Sequence, residues 1–245
     1  MKSLKDKVVL ITGASKGIGA DMAAAFAEEG AKVVINYASS AGPAEALLNG
    51  IREKGGTAIT FKADVSKEEE VNSLFDAAIN EFGRIDVLIN NAGVMETKLL
   101  KDHSVDDFDR HFNINVKGVF LSMKAAATRL ADNGIIINLS SSATRLMFPG
   151  YAIYTATKTA VDQMTRVFSK EIGRGISVNA VAPGPTGTDL FLNGKSEEVL
   201  ERLAGSNAFG RIADPRDITK VILFMASDDS KWISGQVIGA NGAMA

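Results

Sequence analysis

Seven short apolar runs punctuate the chain, and between them hydrophobic residues recur at helical spacing. The runs are KVVLIT (7 to 12), KVVINY (32 to 37), AITFKAD (58 to 64), IDVLIN (85 to 90), IIINLS (135 to 140), ISVNAVAP (176 to 183) and QVIGA (236 to 240). They are apolar at almost every position rather than at alternate ones, as parallel strands buried on both faces should be. Helix-like segments cover roughly 17 to 29, 41 to 54, 67 to 82, 105 to 131, 151 to 172 and 215 to 227, and Gly30, Gly55, Gly83, Gly134 and Gly173 stand where helix C-termini are expected. Such alternation predicts an α/β fold, a doubly wound parallel sheet of seven strands flanked by helices. The rhythm breaks once, at residues 184 to 214, a long connection with a short helical pattern only near 196 to 204. Connections of that length inside one domain are usually lids or substrate-binding loops. No Pro/Gly/Ser-rich linker divides the 245 residues, so residues 1–245 read as a single domain.

The first run leads into TGASKGIG (12 to 19), with Gly13, Gly17 and Gly19 at the turn and an Ala-rich helix directly after it. Glycines let backbone approach a pyrophosphate, and a helix N-terminus supplies free N–H groups and partial positive charge. The spacing is G-x-x-x-G-x-G, not the G-x-G-x-x-G of the general dinucleotide fingerprint. Alone it fits an ordinary tight strand-to-helix turn equally well. Its place between the first strand and the first helix favours a nucleotide in a Rossmann-type fold. An acidic residue after the second strand would hold a ribose 2′-hydroxyl and repel a 2′-phosphate. Here Asn36, Tyr37, Ala38, Ser39 and Ser40 are all uncharged, and Lys16 reaches from the glycine loop toward the same place. NADP(H) is the cofactor expected.

In an open parallel sheet, ligands bind outside the carboxyl ends of the strands. Asn90, Asn91, Ala92 and Gly93 end the fourth run, Ser140, Ser141 and Ser142 end the fifth, and Tyr154 and Lys158 lie one turn apart on the next helix. Hydride transfer to a carbonyl leaves negative charge on oxygen and requires a proton. A free tyrosine, with a pKa of about 10, is a poor acid–base group at neutral pH. An ammonium nearby is expected to favour the phenolate and lower that value. A serine hydroxyl at the strand end would steady the developing charge, a part assigned to Ser141. Singly, each residue has a plainer reading: the tyrosine as core packing with a wet hydroxyl, the lysine as surface, the serines as helix caps. With a phosphate loop upstream, the joint pattern points to catalysis.

The motifs TGASKGIG (12 to 19), ADV (63 to 65), NNAG (90 to 93), NVKG (115 to 118), LSSS (139 to 142), YTATK (154 to 158), VNAVAPGPTGT (178 to 188) and WISGQVIGANGAMA (232 to 245) stand in an order that resembles the short-chain dehydrogenase/reductase family over essentially the whole chain. The resemblance implies a Ser–Tyr–Lys centre completed by an Asn: Ser141, thirteen places before the tyrosine, Tyr154 as acid or base, Lys158 on the cofactor ribose, and Asn115 supporting a water in a proton relay. It implies a nicotinamide cofactor held by Gly13, Ser15, Lys16, Gly17, Ile18 and Gly19, by Asn36, Tyr37, Ala38 and Ser39, and by Asp64 and Val65 at the adenine. Asn91, Ala92 and Gly93 would run along it, and Pro183, Gly184, Thr186 and Thr188 would meet its carboxamide end. VINYASS and the C-terminal segment are most similar to NADPH-dependent carbonyl reductases, including polyhydroxynaphthalene and β-ketoacyl carrier-protein reductases. The enoyl-reducing branch usually spaces its Tyr and Lys more widely. One departure is Asn241-Gly242-Ala243, where the family shows Asp-Gly-Gly.

Composition narrows the rest. A net charge of -2, with basic residues scattered, gives no electrostatic reason to bind nucleic acid or membrane. Zero cysteines exclude thiolate-ligated metals and fit a reducing compartment. MKSLKDKVVLITG ends its apolar run in a glycine turn rather than a cleavage site, and no run of about 18 apolar residues occurs, so a cytoplasmic protein is expected. His103 and His111 lie in a charged stretch and read as solvated helix residues; no metal is expected. Leu146, Met147 and Phe148, with Met95 and Leu190-Phe191-Leu192, read equally as core or as an apolar substrate pocket, and Tyr151 as packing or pocket lining. Apolar stripes in 105 to 131 and 151 to 172 resemble the family's dimer-forming pair and predict a homodimer or homotetramer. The function expected is NADPH-dependent reduction of an apolar ketone or aldehyde, with Tyr154 as general acid/base. The alternatives are an NAD(P)-dependent sugar or secondary-alcohol dehydrogenase and a non-catalytic NADP-binding sensor.

Overall fold

All seven apolar runs become strands in the computed structural model, which describes residues 4–245. They are β1 (Val8–Ile11), β2 (Lys32–Tyr37), β3 (Thr57–Lys62), β4 (Val87–Asn90), β5 (Ile135–Leu139), β6 (Ser177–Pro183) and β7 (Val237–Ala240). The helices are α1 (Gly17–Glu28), α2 (Ala41–Glu53), α3 (Glu68–Phe82), α4 (Val105–Phe112), α5 (Gly118–Arg129), α6 (Ala143–Leu146), α7 (Ala152–Glu171), α8 (Asp189–Leu192), α9 (Glu197–Ala204) and α10 (Pro215–Met225). The strands form one parallel sheet in the order β3-β2-β1-β4-β5-β6-β7. The order reverses between β1 and β4, and that reversal opens a crevice at their carboxyl ends.

Residues along a strand face alternate sides, so each strand feeds two cores. Val9 and Ile11 join Ile89, Ile137, Met22, Phe26 and Ile222 beneath α1 and α10, while Val8 and Leu10 join Leu88, Ile136, Leu74, Phe75 and Val161 beneath α3, α5 and α7. Covering both faces explains why the runs are continuously apolar. The helix starts are fixed by local chemistry. Ser104 and Asp107 cap α4 reciprocally, and Asp214 and Asp217 do so for α10, whose first residue is Pro215.

The segment expected as one helix over 105 to 131 is three pieces: α4, a π-helical turn at Asn113–Lys117, and α5. The wider turn falls where Asn115 bonds the backbone of another segment, a tertiary demand that periodicity does not carry. Gly134 is not a helix cap. The helix ends at Arg129, and Gly134 sits in the tight approach to β5, where a Cβ would lie 2.8 Å from the Ala131 carbonyl oxygen. Within residues 184 to 214, α9 matches the short helical pattern, α8 was not anticipated, and Thr186 bridges to Ala213.

Candidate active site

The loop from β1 into α1 turns at Gly13, whose φ of 61° favours glycine. It also packs hard against the end of β4. A Cβ on Gly13 would sit 2.7 Å from the Ala92 Cα, and one on Gly19 would sit 2.6 Å from the Asn91 Nδ2. The Thr12 hydroxyl oxygen accepts from the N–H groups of Asn91 (3.0 Å) and Ala92 (3.1 Å). Asn91 Nδ2 donates to the carbonyls of Thr12 and Gly13, both at 2.9 Å. Thr12 is a hub that motif reading passed over, because its importance lies in residues about eighty positions away.

Asn36, one of the uncharged residues expected beside the cofactor, lines the groove with its amide bonded to backbone. It is 1% exposed, accepts the Gly13 N–H through Oδ1 (3.1 Å) and donates through Nδ2 to the Ala63 (2.9 Å) and Phe61 (3.3 Å) carbonyls. Its amide is committed to tying the glycine loop to β3, which leaves Tyr37, Ala38, Ser39 and Ser40 for the groove beside it. Lys16, exposed at the N-cap of α1, carries no ion pair among the described residues.

These residues border a groove of about 1550 Å³ that continues past Ser15, Gly17, Ile18 and Gly19 to Asn91, Ala92 and Gly93, with Thr188 near one end. Asp64 and Val65 form another wall. Asp64 Oδ1 accepts from the Ser66 N–H (2.9 Å) and hydroxyl (2.7 Å), which outweigh burial and keep its carboxyl below the ordinary range. Val65 packs under Gly118, where a Cβ would come within 2.7 Å of it. Arg110 also lines the groove and was not anticipated. A glycine turn at a helix N-terminus, a free lysine beside it and no carboxylate ending β2 fit a dinucleotide with a 2′-phosphate.

At its inner end the groove meets a second cavity of about 850 Å³, which shares Ile18, Asn91, Gly93, Thr188 and Leu190. Ser141, Tyr154 and Lys158 all face into it. The three serines separate by their partners. Ser142 donates to the Pro183 carbonyl at 2.9 Å, Ser140 is buried, and Ser141 is the half-buried member beside the Tyr154 hydroxyl. Lys158 is 5% exposed, donates to the Leu139 carbonyl at 2.7 Å and lies 5.9 Å from the centre of the Tyr154 ring. Asn115 is fully buried and doubly committed. Its Oδ1 accepts from the Val94 N–H (2.8 Å), and its Nδ2 donates to the Val94 carbonyl (2.9 Å) and to Thr157 (3.1 Å).

The expected electrostatics are corrected here. Burial pushes the Tyr154 phenol up, the Ser141 hydroxyl offsets part of that, and Tyr151 adds to it. Burial likewise pushes the Lys158 ammonium down to about 8, with Asp162 opposing the fall. An apolar site disfavours both charged forms, and that outweighs the lowering of the phenol that the four-residue spacing suggested.

The cavity wall is largely apolar: Met95, Leu146, Phe148, Tyr151, Leu190 and Phe191 contribute, together with Met244 from the C-terminal turn. The Tyr151 ring stands 5.9 Å from Phe148 and 6.3 Å from Tyr154. Met147 is 88% exposed and, like Leu192, is not part of the wall. Pro183, Gly184 and Thr186 line the opposite side, where Thr186 donates to the Gly184 carbonyl at 2.9 Å. Met244 was missed because nothing local links the C-terminal turn to the reaction end. A Cβ on Gly184 would lie 2.9 Å from the Asn241 Cα, and that close approach carries the turn inward.

Both histidines are buried rather than solvated. His111 accepts the Glu96 N–H through Nε2 (3.0 Å), which assigns Nδ1 as the donor to the Asp107 carbonyl (2.6 Å). His103 stands edge-on to it at 6.1 Å, with only 2% of its side chain exposed. The His111 bond to Glu96 anchors the segment that carries Met95. Among the described residues, no three His, Cys, Asp or Glu side chains converge as metal ligands.

Residues 13–244 match the family model described as enoyl-(acyl carrier protein) reductase. The chain is 41% identical over 254 residues to an NADPH-dependent aldehyde reductase-like chloroplastic protein of Arabidopsis thaliana, covering 98% of this chain and 94% of that one. It is 39% identical over 252 residues to versicolorin reductase of Emericella nidulans, covering 98% and 96%. Its structure superposes with a TM-score of 0.93 on a short-chain dehydrogenase of Burkholderia cenocepacia in complex with NADP, at 33% identity and 99% coverage of both chains.

Proposed function

The chain belongs to the short-chain dehydrogenase/reductase family of oxidoreductases, and on that premise we propose that it uses NADPH to reduce the carbonyl of a fairly apolar ketone or aldehyde, with Tyr154 passing the proton. The observation that carries this reading is that Ser141, Tyr154 and Lys158 line one largely apolar cavity, with the Ser141 hydroxyl beside that of Tyr154, at the end of a groove whose β2 side lacks a carboxylate. Aldehyde and versicolorin reductases among its relatives, and the NADP bound by its structural neighbour, support it.

A bound NADPH supplies the hydride. The chain's own residues do the rest. Apolar walls exclude water from the carbonyl and strengthen the polar contacts that remain. Ser141 donates toward the carbonyl oxygen and steadies its charge. Because burial holds the Tyr154 phenol neutral, its proton is in place when that oxygen becomes basic. The phenolate left behind faces the Lys158 ammonium, which at pH 7 is still largely protonated. Asn115 fixes Val94 against Thr157 and so holds the crossing of the two segments that frame Lys158.

The exposed lining of the cavity is mostly apolar, which speaks against a sugar. The four-residue interval between Tyr154 and Lys158 speaks for a carbonyl over an enoyl group. The connection 184–214, which places Leu190 and Phe191 over the cavity, acts as the substrate lid in this reading. Val105, Phe108, Phe120 and Val167 project outward from α4, α5 and α7, and Trp232 is wholly exposed; these faces support a homodimer or homotetramer. Among the described residues no helix is long and apolar enough to cross a membrane. Following NADPH absorbance against aryl ketones, quinones, β-ketoacyl thioesters, enoyl thioesters and sugars tests the substrate class. Tyr154→Phe should bind NADPH normally and lose at least about a hundredfold in turnover. Unchanged turnover, or a KM for NADH equal to that for NADPH, would overturn the reading.

A further inference from the structure

Two carboxylates are buried among the described residues, Asp86 at 5% and Asp162 at 6% exposure. Asp86 is well supplied: it accepts the Val8 N–H at 2.9 Å and pairs with Arg84 at 2.6 Å. Asp162 makes no ion pair within 4 Å, and its Oδ1 is enclosed without a hydrogen-bond partner. Buried carboxylates are rare without an ion pair, and Asp162 has the Ser140 hydroxyl beside it with one oxygen left over. Asp162 lies four residues beyond Lys158, so both side chains share the buried face of α7, one turn apart.

We propose that Asp162 is a positioning residue for the reaction centre, the internal counter-charge to Lys158 one turn away on the buried face of α7. The proposal rests on the carbonyl-reductase reading above. Burial pushes the Asp162 carboxyl up, and the groups that face it and oppose that rise are the Ser140 hydroxyl at the end of β5, Arg166 on α7, Arg145 on α6 and Lys158 on α7. Both arginines are exposed and well solvated, so Lys158 is the one buried cation of the set. Lys158 itself faces the Leu139 carbonyl, the Tyr154 ring and Asp162, and Asp162 is the only one of these that carries a full negative charge. The remaining influence on Lys158 is desolvation, which opposes its charge. Without Asp162, Lys158 would lose its proton nearer neutral pH and would no longer present donors to a bound ribose or a cation to the Tyr154 phenolate.

The test compares wild type, Asp162→Asn and Asp162→Glu, reading the Kd of NADPH by the fluorescence of the bound nucleotide from pH 6 to 10, alongside kcat and KM. Asp162→Asn should bind NADPH within about twofold of wild type at pH 6.5 and about tenfold more weakly near pH 8.5, its alkaline limb displaced downward by roughly one pH unit. Asp162→Glu should restore most of the limb, which a purely packing role would not do. Should Asp162→Asn fail to fold, Asp162→Ser, smaller and also neutral, carries the same expectation. Superimposable limbs with Tyr154→Phe inactive would overturn this proposal and leave the reductase reading standing. A wild-type chain that binds no NADPH would overturn both.

Discussion

The glycine-loop side and the reaction side of the crevice treat polar groups in opposite ways. Around the loop, Thr12, Asn36 and Asn91 together make nine hydrogen bonds to backbone groups at 3.4 Å or less, and the glycines are set by backbone contact. On the reaction side, Tyr154 and Lys158 are displaced toward their neutral forms by the apolar walls, and Asp162 is enclosed with an oxygen unpartnered. The first region is stable because it is satisfied. The second is not satisfied, and the fold around it tolerates the penalty.

The contrast breaks most sharply at Lys158. Its ammonium loses its proton at about 8 in the fold against an ordinary 10.5, so between those limits the unfolded chain binds more protons than the native one. Native stability from this group therefore rises with pH through that window, and below about pH 8 the full penalty of burying the charge applies. Lys158→Met should abolish turnover yet make the cofactor-free protein more stable at pH 7, by about 3 kcal/mol. The gap should close between pH 8 and 10.5 in denaturant titrations. Parallel curves for the two proteins across that range would show that the reaction side carries no such penalty.

On the loop side the same kind of substitution should harm the fold. Gly19→Ala drives a methyl into the Asn91 amide and the Gly13 carbonyl, both closer than any real Cβ contact. A loss of about 1–3 kcal/mol in chemical denaturation is expected, with NADPH affinity falling in parallel. Wild-type affinity in Gly19→Ala would mean that the loop is far softer than its contacts suggest. The smallest effect belongs to Asn36→Ala, which leaves the Gly13 N–H and two β3-side carbonyls without their partner. About 1–2 kcal/mol of stability should go, because water can reach part of the groove. Isothermal titration should show NADPH and NADH weakened together. Selective loss of NADPH would return Asn36 to the 2′-phosphate.

The sheet was legible because burial on both faces writes itself into each strand: Val8 to Ile11 and Ile135 to Leu139 are apolar throughout, and no other arrangement uses such runs so well. Tyr154 and Lys158 were legible as neighbours from helical spacing alone. Their protonation was not, because spacing reports distance along one helix while the shift comes from walls built by Met95, Leu146, Phe148 and Leu190, drawn from three other segments. Asn36 lines the groove, but its amide partners, Gly13, Phe61 and Ala63, come from the loop after β1 and the end of β3, which spacing along the chain does not report. His103 and His111 were read as solvated because their sequence neighbours are charged; the fold turns the two rings inward while Asp106 and Asp109 stay outside.

Alternating runs of apolar and polar residues thus determined the sheet, its helices and the glycine turn after β1, because local periodicity and glycine placement act over a few residues. Only the folded chain decided which hydroxyl of Ser140, Ser141 and Ser142 is available, how Met244 reaches the cavity, and that burial outweighs charge pairing at Tyr154 and Lys158. Desolvation depends on every atom within several ångströms, and most of those atoms come from distant parts of the chain.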